Sequence, residues 1–136
     1  MRTVINAREA PSWEAPTEDR RRFQILLGPE QSGSESVAMG HLYLPVGARQ
    51  ESAETHANTE EIYYCAKGRG KLLLDNQEYE LEPGTAAYVG RNVLHQVFNT
   101  GDEELLMLWF ESPPSVENAQ YKPIVRNWKK IPGQSG

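Results

Sequence analysis

Apolar and polar residues alternate along this chain in short runs. Turn-forming residues interrupt the runs about every eight to twelve positions, the interval of all-β sandwiches and barrels. The run RRFQILLGPE, residues 21–30, predicts a strand stopped by Gly28 and Pro29. A polar connection over 31–35 leads to a second strand over 37–44, stopped by Pro45-Val46-Gly47. The stretch EEIYYCAKG predicts a third, and 71–74 with 77–81 a hairpin closed at Asp75-Asn76. Further strands are expected over 86–89, 93–99 and 104–110. No long helical period appears, so the expected fold class is all-β.

The period of two also assigns faces. Glu61, Tyr63 and Cys65 share one face of their strand, and Ile62, Tyr64 and Ala66 the other. In the run 37–44, Met39, His41 and Tyr43 oppose Gly40, Leu42 and Leu44. Both of those faces are largely apolar, so the pattern leaves open which one looks inward. His41 and Tyr43 line a ligand pocket only if theirs does. Glu54 and His56 share a face if their segment is extended, and two neighbouring strands then aim Glu54, His56 and Glu61 at one point. A further histidine, His95, follows in a later turn-and-strand segment. Imidazole and carboxylate are the usual side chains for zinc, iron and manganese, which makes a metal site the leading expectation.

These residues resemble the cupin superfamily. Its first motif ends in His, then Glu, six residues and Gly, and His56, Glu61 and Gly68 fit that order. Its second runs from a glycine through Pro-x-Gly to a His and an Asn, and Gly84, His95 and Asn99 fit at the right separations. Three positions depart: Glu54 stands where the first motif's first His belongs, and Gly90 and Asn92 replace Pro and Gly. Gly and Asn still allow a turn. The resemblance implies one jelly-roll barrel spanning 1–136. Its barrel would occupy roughly 37–113, with an N-terminal arm over 1–35 and a C-terminal covering tail over 114–136. It also implies a divalent ion, Fe2+, Mn2+ or Zn2+, held by His56, Glu61 and His95, with Glu54 as a fourth ligand or a general base. Cupins often exchange an N-terminal strand between subunits, which implies a homodimer.

Length and charge narrow the picture. A chain of 136 residues suits one domain with one core. A net charge of −5 argues against nucleic acid as the main partner, and no apolar run approaches a membrane span. The single cysteine, Cys65, and an N-terminus without a basic start and apolar core fit a cytoplasmic protein. In the tail, Trp128 and Ile131 are expected to pack back onto the barrel, with Lys129 and Lys130 solvated.

Two histidines and one carboxylate leave positions open on iron(II), so oxygen insertion is the first expected chemistry. Non-redox cyclisation, isomerisation or lyase chemistry is the second, and small-molecule binding without turnover the third. The expected substrate is a small, oxygen-rich, enolisable molecule. Glu54, Tyr63 and Tyr88 are the candidate catalytic groups, since a carboxylate near a cation stays ionised and a tyrosine donates or relays a proton. Related ectoine synthases recruit a tyrosine to their metal, a second role implied for Tyr88. Cys65, Phe98 and Trp109, with His41 and Tyr43, are the candidate pocket lining, and Glu60 points away from Glu61.

Overall fold

The structure, a computed structural model, describes residues 1–50, 55–114 and 128–134. Among the described residues ten strands follow in order: β1 Ser12–Glu14, β2 Arg22–Leu27, β3 Ala38–Leu44, β4 Glu60–Lys67, β5 Gly70–Leu74, β6 Gln77–Leu81, β7 Ala86–Val89, β8 His95–Asn99, β9 Leu105–Ser112 and β10 Lys129–Ile131. They form a seven-stranded sheet ordered β10-β1-β2-β3-β9-β4-β7 and a three-stranded sheet ordered β6-β5-β8. All described pairings within them are antiparallel. This is the all-β jelly-roll arrangement. The only α-helical turn among the described residues is α1, Pro29–Ser32, which starts on a proline and closes at Gly33 in the left-handed region, φ 73°.

The pleat turns one face of each strand into a common interior. On the large sheet these residues are Phe23 and Ile25 of β2; Ala38, Leu42 and Leu44 of β3; Tyr63 and Cys65 of β4; and Leu105, Met107 and Trp109 of β9. Leu72, Leu81 and Val97 meet them from the small sheet. Gly40 shows why one position in that row has no side chain. A Cβ there would stand 1.9 Å from the Gln24 carbonyl oxygen and 2.6 Å from the Trp109 ring, which stacks on Phe23 with centroids 5.5 Å apart. Gly68, at φ 87°, lets β4 turn under the Glu104 carbonyl, only 2.7 Å from where its Cβ would be.

The two terminal strands come from segments without a clear alternating pattern. β1 pairs with β2 on one side and with β10 on the other, Ser12 opposite Ile131 and Glu14 opposite Lys129. Trp128 packs against the core and lies beneath the Arg21 guanidinium, 5.3 Å from its ring centre, while Lys129 and Lys130 are exposed. Among the described residues no helix is long and apolar enough to cross a membrane.

Candidate metal centre

His56 lies in the loop before β4, Glu61 is the second residue of β4, and His95 opens β8. The loop is held by the turn that departs from the family motif: the His56 carbonyl accepts the Asn92 N–H at 2.9 Å, and Asn92 takes φ 64°. Asparagine tolerates that left-handed geometry, so the turn survives without Pro and Gly. Asn99 closes the other end of β8, donating to the Leu44 and Glu103 carbonyls at 2.8 Å each.

The three side chains converge. His56 Nε2 stands 2.8 Å from Glu61 Oε1, and His95 Nε2 stands 3.8 Å from the same oxygen. The ligand atoms of all three lie within 4.8 Å of one another, and all three residues are buried. His95 Nδ1 lies 3.1 Å from the Val93 carbonyl, which only accepts, so Nδ1 donates there and the neutral ring turns the lone pair of Nε2 to the centre. Glu61 Oε1 and His95 Nε2 are fully buried and make no hydrogen bond among the described residues. A carboxylate and an imidazole lone pair gathered with their facing atoms buried are costly unless a cation meets them. Ligands about 2.0–2.2 Å from one ion sit roughly 3 Å apart, so this donor set fits a divalent metal. Glu54, named by the sequence as ligand or base, lies outside the described residues.

The wall beside the trio comes from β4 and β9. Their register pairs Glu61 with Glu111, Tyr63 with Trp109 and Cys65 with Met107, all on the interior face. Tyr63 is buried, with its ring 5.9 Å from that of His95. Trp109 lies one strand further, its indole packed over Gly40. Cys65 is wholly buried in the core, and burial pushes its thiol pKa up against a smaller lowering by the Lys67 carbonyl. It is a core residue. Glu111, buried at 3% exposure, is the site residue that sequence reasoning missed. Continuing the alternation of Leu105, Met107 and Trp109 one step past the expected end of that strand would have found it.

Four other sequence candidates face away from the centre. His41 and Tyr43 lie on the outer face of β3, because Leu42 and Leu44 take the core. There Tyr43 donates to Gln24 Oε1 at 2.8 Å, and its oxygen lies 2.9 Å from His41 Nδ1. Burial lowers the His41 pKa and raises that of Tyr43, the latter against the opposing effect of Arg22, whose guanidinium sits 4.2 Å above the Tyr43 ring. Tyr88 is 61% exposed on the outer side of β7, opposite Ile62, because Val89 takes the inward position. Phe98 lies on the face of β8 opposite His95 and Val97.

The family model described as Cupin domain matches residues 40–111. A glucose-6-phosphate isomerase of Thermococcus onnurineus is 42% identical over 57 residues, 38% of this chain and 30% of that protein. A polyketide synthase protein, CurC, of Streptomyces cyaneus is 32% identical over 91 residues, 67% of this chain and 58% of that protein. The chain therefore spans about a third to three fifths of these two curated relatives. A solved structure from Thermotoga maritima, described as a predicted oxalate decarboxylase, shares the fold with a TM-score of 0.69 at 19% identity, covering 81% of this chain and 98% of that one. With more than half of its length matching the family model, and two facing antiparallel sheets enclosing a His-Glu-His cluster, the chain belongs to the cupin domain family.

Proposed function

We propose that the protein is a metal-dependent enzyme that moves a proton next to a carbonyl of a small, oxygen-rich substrate, as in isomerisation or cyclisation. The observation that carries this reading is the buried convergence of Glu61 Oε1 with the Nε2 atoms of His56 and His95. A divalent ion held there would polarise a substrate carbonyl and acidify the adjacent C–H. Tyr63 and Glu111 stand on the wall beside it, so the chain offers a hydroxyl and a carboxylate to accept and return that proton. Trp109 and Met107 line the same wall and keep it apolar, which strengthens each polar contact within it. The isomerase and polyketide synthase among the relatives support a substrate of this chemistry.

The test uses protein loaded with Fe2+, Mn2+ or Zn2+ and incubated in D2O with fructose 6-phosphate, acetylacetone and a β-keto ester. Proton NMR follows C–H exchange and an electrode follows oxygen. Exchange without oxygen uptake, lost in His95→Ala, is the expected result. No exchange and no oxygen uptake with metal bound would overturn the reading in favour of a binding module. Glu54→Gln then separates its two roles: metal retained with turnover lost marks a base, and metal lost marks a ligand.

Oxygen insertion is the second reading, and the two-histidine, one-carboxylate set favours it. Stoichiometric oxygen uptake with the iron-loaded protein, absent with zinc, would establish it.

A further inference from the structure

Gln24 stands on the outer face of β2, directly opposite His41 of β3, yet it is only 4% exposed. The chain's own N-terminal segment lies over it: Gln24 Nε2 donates to the Ala7 carbonyl at 2.8 Å and to the Ala10 carbonyl at 3.2 Å. Two carbonyls at the nitrogen fix which way the amide faces. Oε1 is then left for the Tyr43 hydroxyl, which donates to it at 2.8 Å. A hydroxyl has one proton to give, so at 2.9 Å His41 Nδ1 is the donor to the Tyr43 oxygen. The series from His41 through Tyr43 and Gln24 to the N-terminal carbonyls therefore donates in one direction throughout, and hydrogen bonds so aligned polarise and strengthen one another. Arg22, its guanidinium 4.2 Å above the Tyr43 ring, holds that ring in place.

The N-terminal segment brings little apolar surface of its own to the fold. Its 3-10 turn, Ala7–Glu9, carries no buried residue, and of residues 1–10 Ala10 alone is buried. Its local order is self-contained. Asn6 Oδ1 accepts the Arg8 N–H, Glu9 accepts the Asn6 N–H, and Arg2 pairs with Glu9 at 2.9 Å. Two backbone hydrogen bonds add to the Gln24 anchor, Arg2 N–H to the Gln31 carbonyl and Gln134 N–H to the Arg8 carbonyl, 2.8 Å each. A segment with few buried apolar contacts opens at a lower free energy than the sheets it lies on. A buried amide that loses its partners is costly, so the anchor favours the seated form strongly.

We propose that residues 1–10 form a strap that opens as a unit while both sheets stay folded, and that Gln24 is its latch, set by Tyr43 and His41. Opening bares the outer face of β2. The latch has two positions and none between. Turned end for end, the Gln24 amide would set its oxygen against two carbonyl oxygens and its NH2 against a hydroxyl already taking a proton from His41. The three side chains lie on the sheet face away from His56, Glu61 and His95, so the strap stands apart from the proposed chemistry.

Amide hydrogen exchange on the full chain, followed by NMR, tests it. The reporters are the Arg2 and Gln134 N–H groups, whose hydrogen bonds cross the edge of the strap, and the Ala10 N–H, which donates to the Ala7 carbonyl. In the wild type these should exchange together, and faster than the amides that pair β3 with β9. Gln24→Met, close in shape, and Tyr43→Phe should each speed the reporters about ten-fold, with the β3 and β9 amides unmoved. The double variant should go little beyond Gln24→Met, because both changes act through one amide. Reporters that exchange no faster than the β3–β9 amides in the wild type, that neither variant speeds selectively, or that respond additively to the two changes overturn the proposal.

Discussion

Glu61 and Glu111 stand directly opposite each other across the β4–β9 pairing, both buried and both on the interior face. The Glu61 carboxylate also converges with the His56 and His95 imidazoles in the interior, so metal binding and folding should be linked. Adding Mn2+ or Zn2+ at about a hundred times its Kd should stabilise the fold by about 2.7 kcal/mol. At this chain length that raises the thermal midpoint by roughly 8 °C. Glu61→Gln and His95→Ala should abolish the rise, measured by scanning calorimetry with and without chelator.

Glu111→Gln separates proton transfer from metal binding. Glu111 is not among the three converging ligands, so the variant should keep the metal and the thermal shift. Its turnover should fall about a hundred-fold, the ordinary worth of a general base. Elemental analysis beside kcat makes the comparison, and loss of metal would instead place Glu111 among the ligands.

Gly40→Ala should be far more costly than a surface change of the same kind. The added methyl meets the Gln24 backbone oxygen and the Trp109 ring at contact distances no relaxation of one side chain relieves. Overpacking of this kind costs about 1–3 kcal/mol, and the backbone contact sets the expectation at the upper end. Urea unfolding of the two proteins measures it.

Cys65 should be silent in the native state. Its sulfur is fully buried and its pKa is raised by that burial, so little thiolate forms at neutral pH. Ellman's reagent at pH 8 should find no thiol in the folded protein and one per chain in denaturant. Rapid native labelling would show that the core around Cys65 opens.

His41 should make stability fall on acidification. Burial lowers its folded pKa below the ordinary 6.5. Between the folded and unfolded pKa values the unfolded chain binds more protons, so stability rises with pH. The contribution is complete above about pH 6.5 and is lost as pH falls through the folded value. The difference in thermal midpoint between wild type and His41→Gln, followed from pH 8 to pH 5, measures it; an NMR titration of His41 above 6.5 would reverse the sign.

The strand order in the chain was legible because alternation and turn residues are local signals. The hairpin at Asp75-Asn76 and the faces of β4 follow from spacing alone, and the resemblance to the two cupin motifs marked His56, Glu61 and His95 as a group. Where both faces of a strand are apolar the signal vanishes. Leu42 and Leu44 compete with Met39, His41 and Tyr43 for the interior of β3, and only the neighbouring strands settle it. The same holds for Tyr88 against Val89 and for Phe98 against Val97.

By itself the sequence determined the all-β class from its short-range period, and the motif spacings that carry the family resemblance, which in turn implied the three clustered side chains. The tertiary structure decided what depends on pairing between distant strands. Register placed Glu111 opposite Glu61 and Trp109 beside Tyr63, and it set Gln24 opposite His41. No local pattern encodes those partners, since a shift of one residue in any pairing would reverse every side chain on the strand.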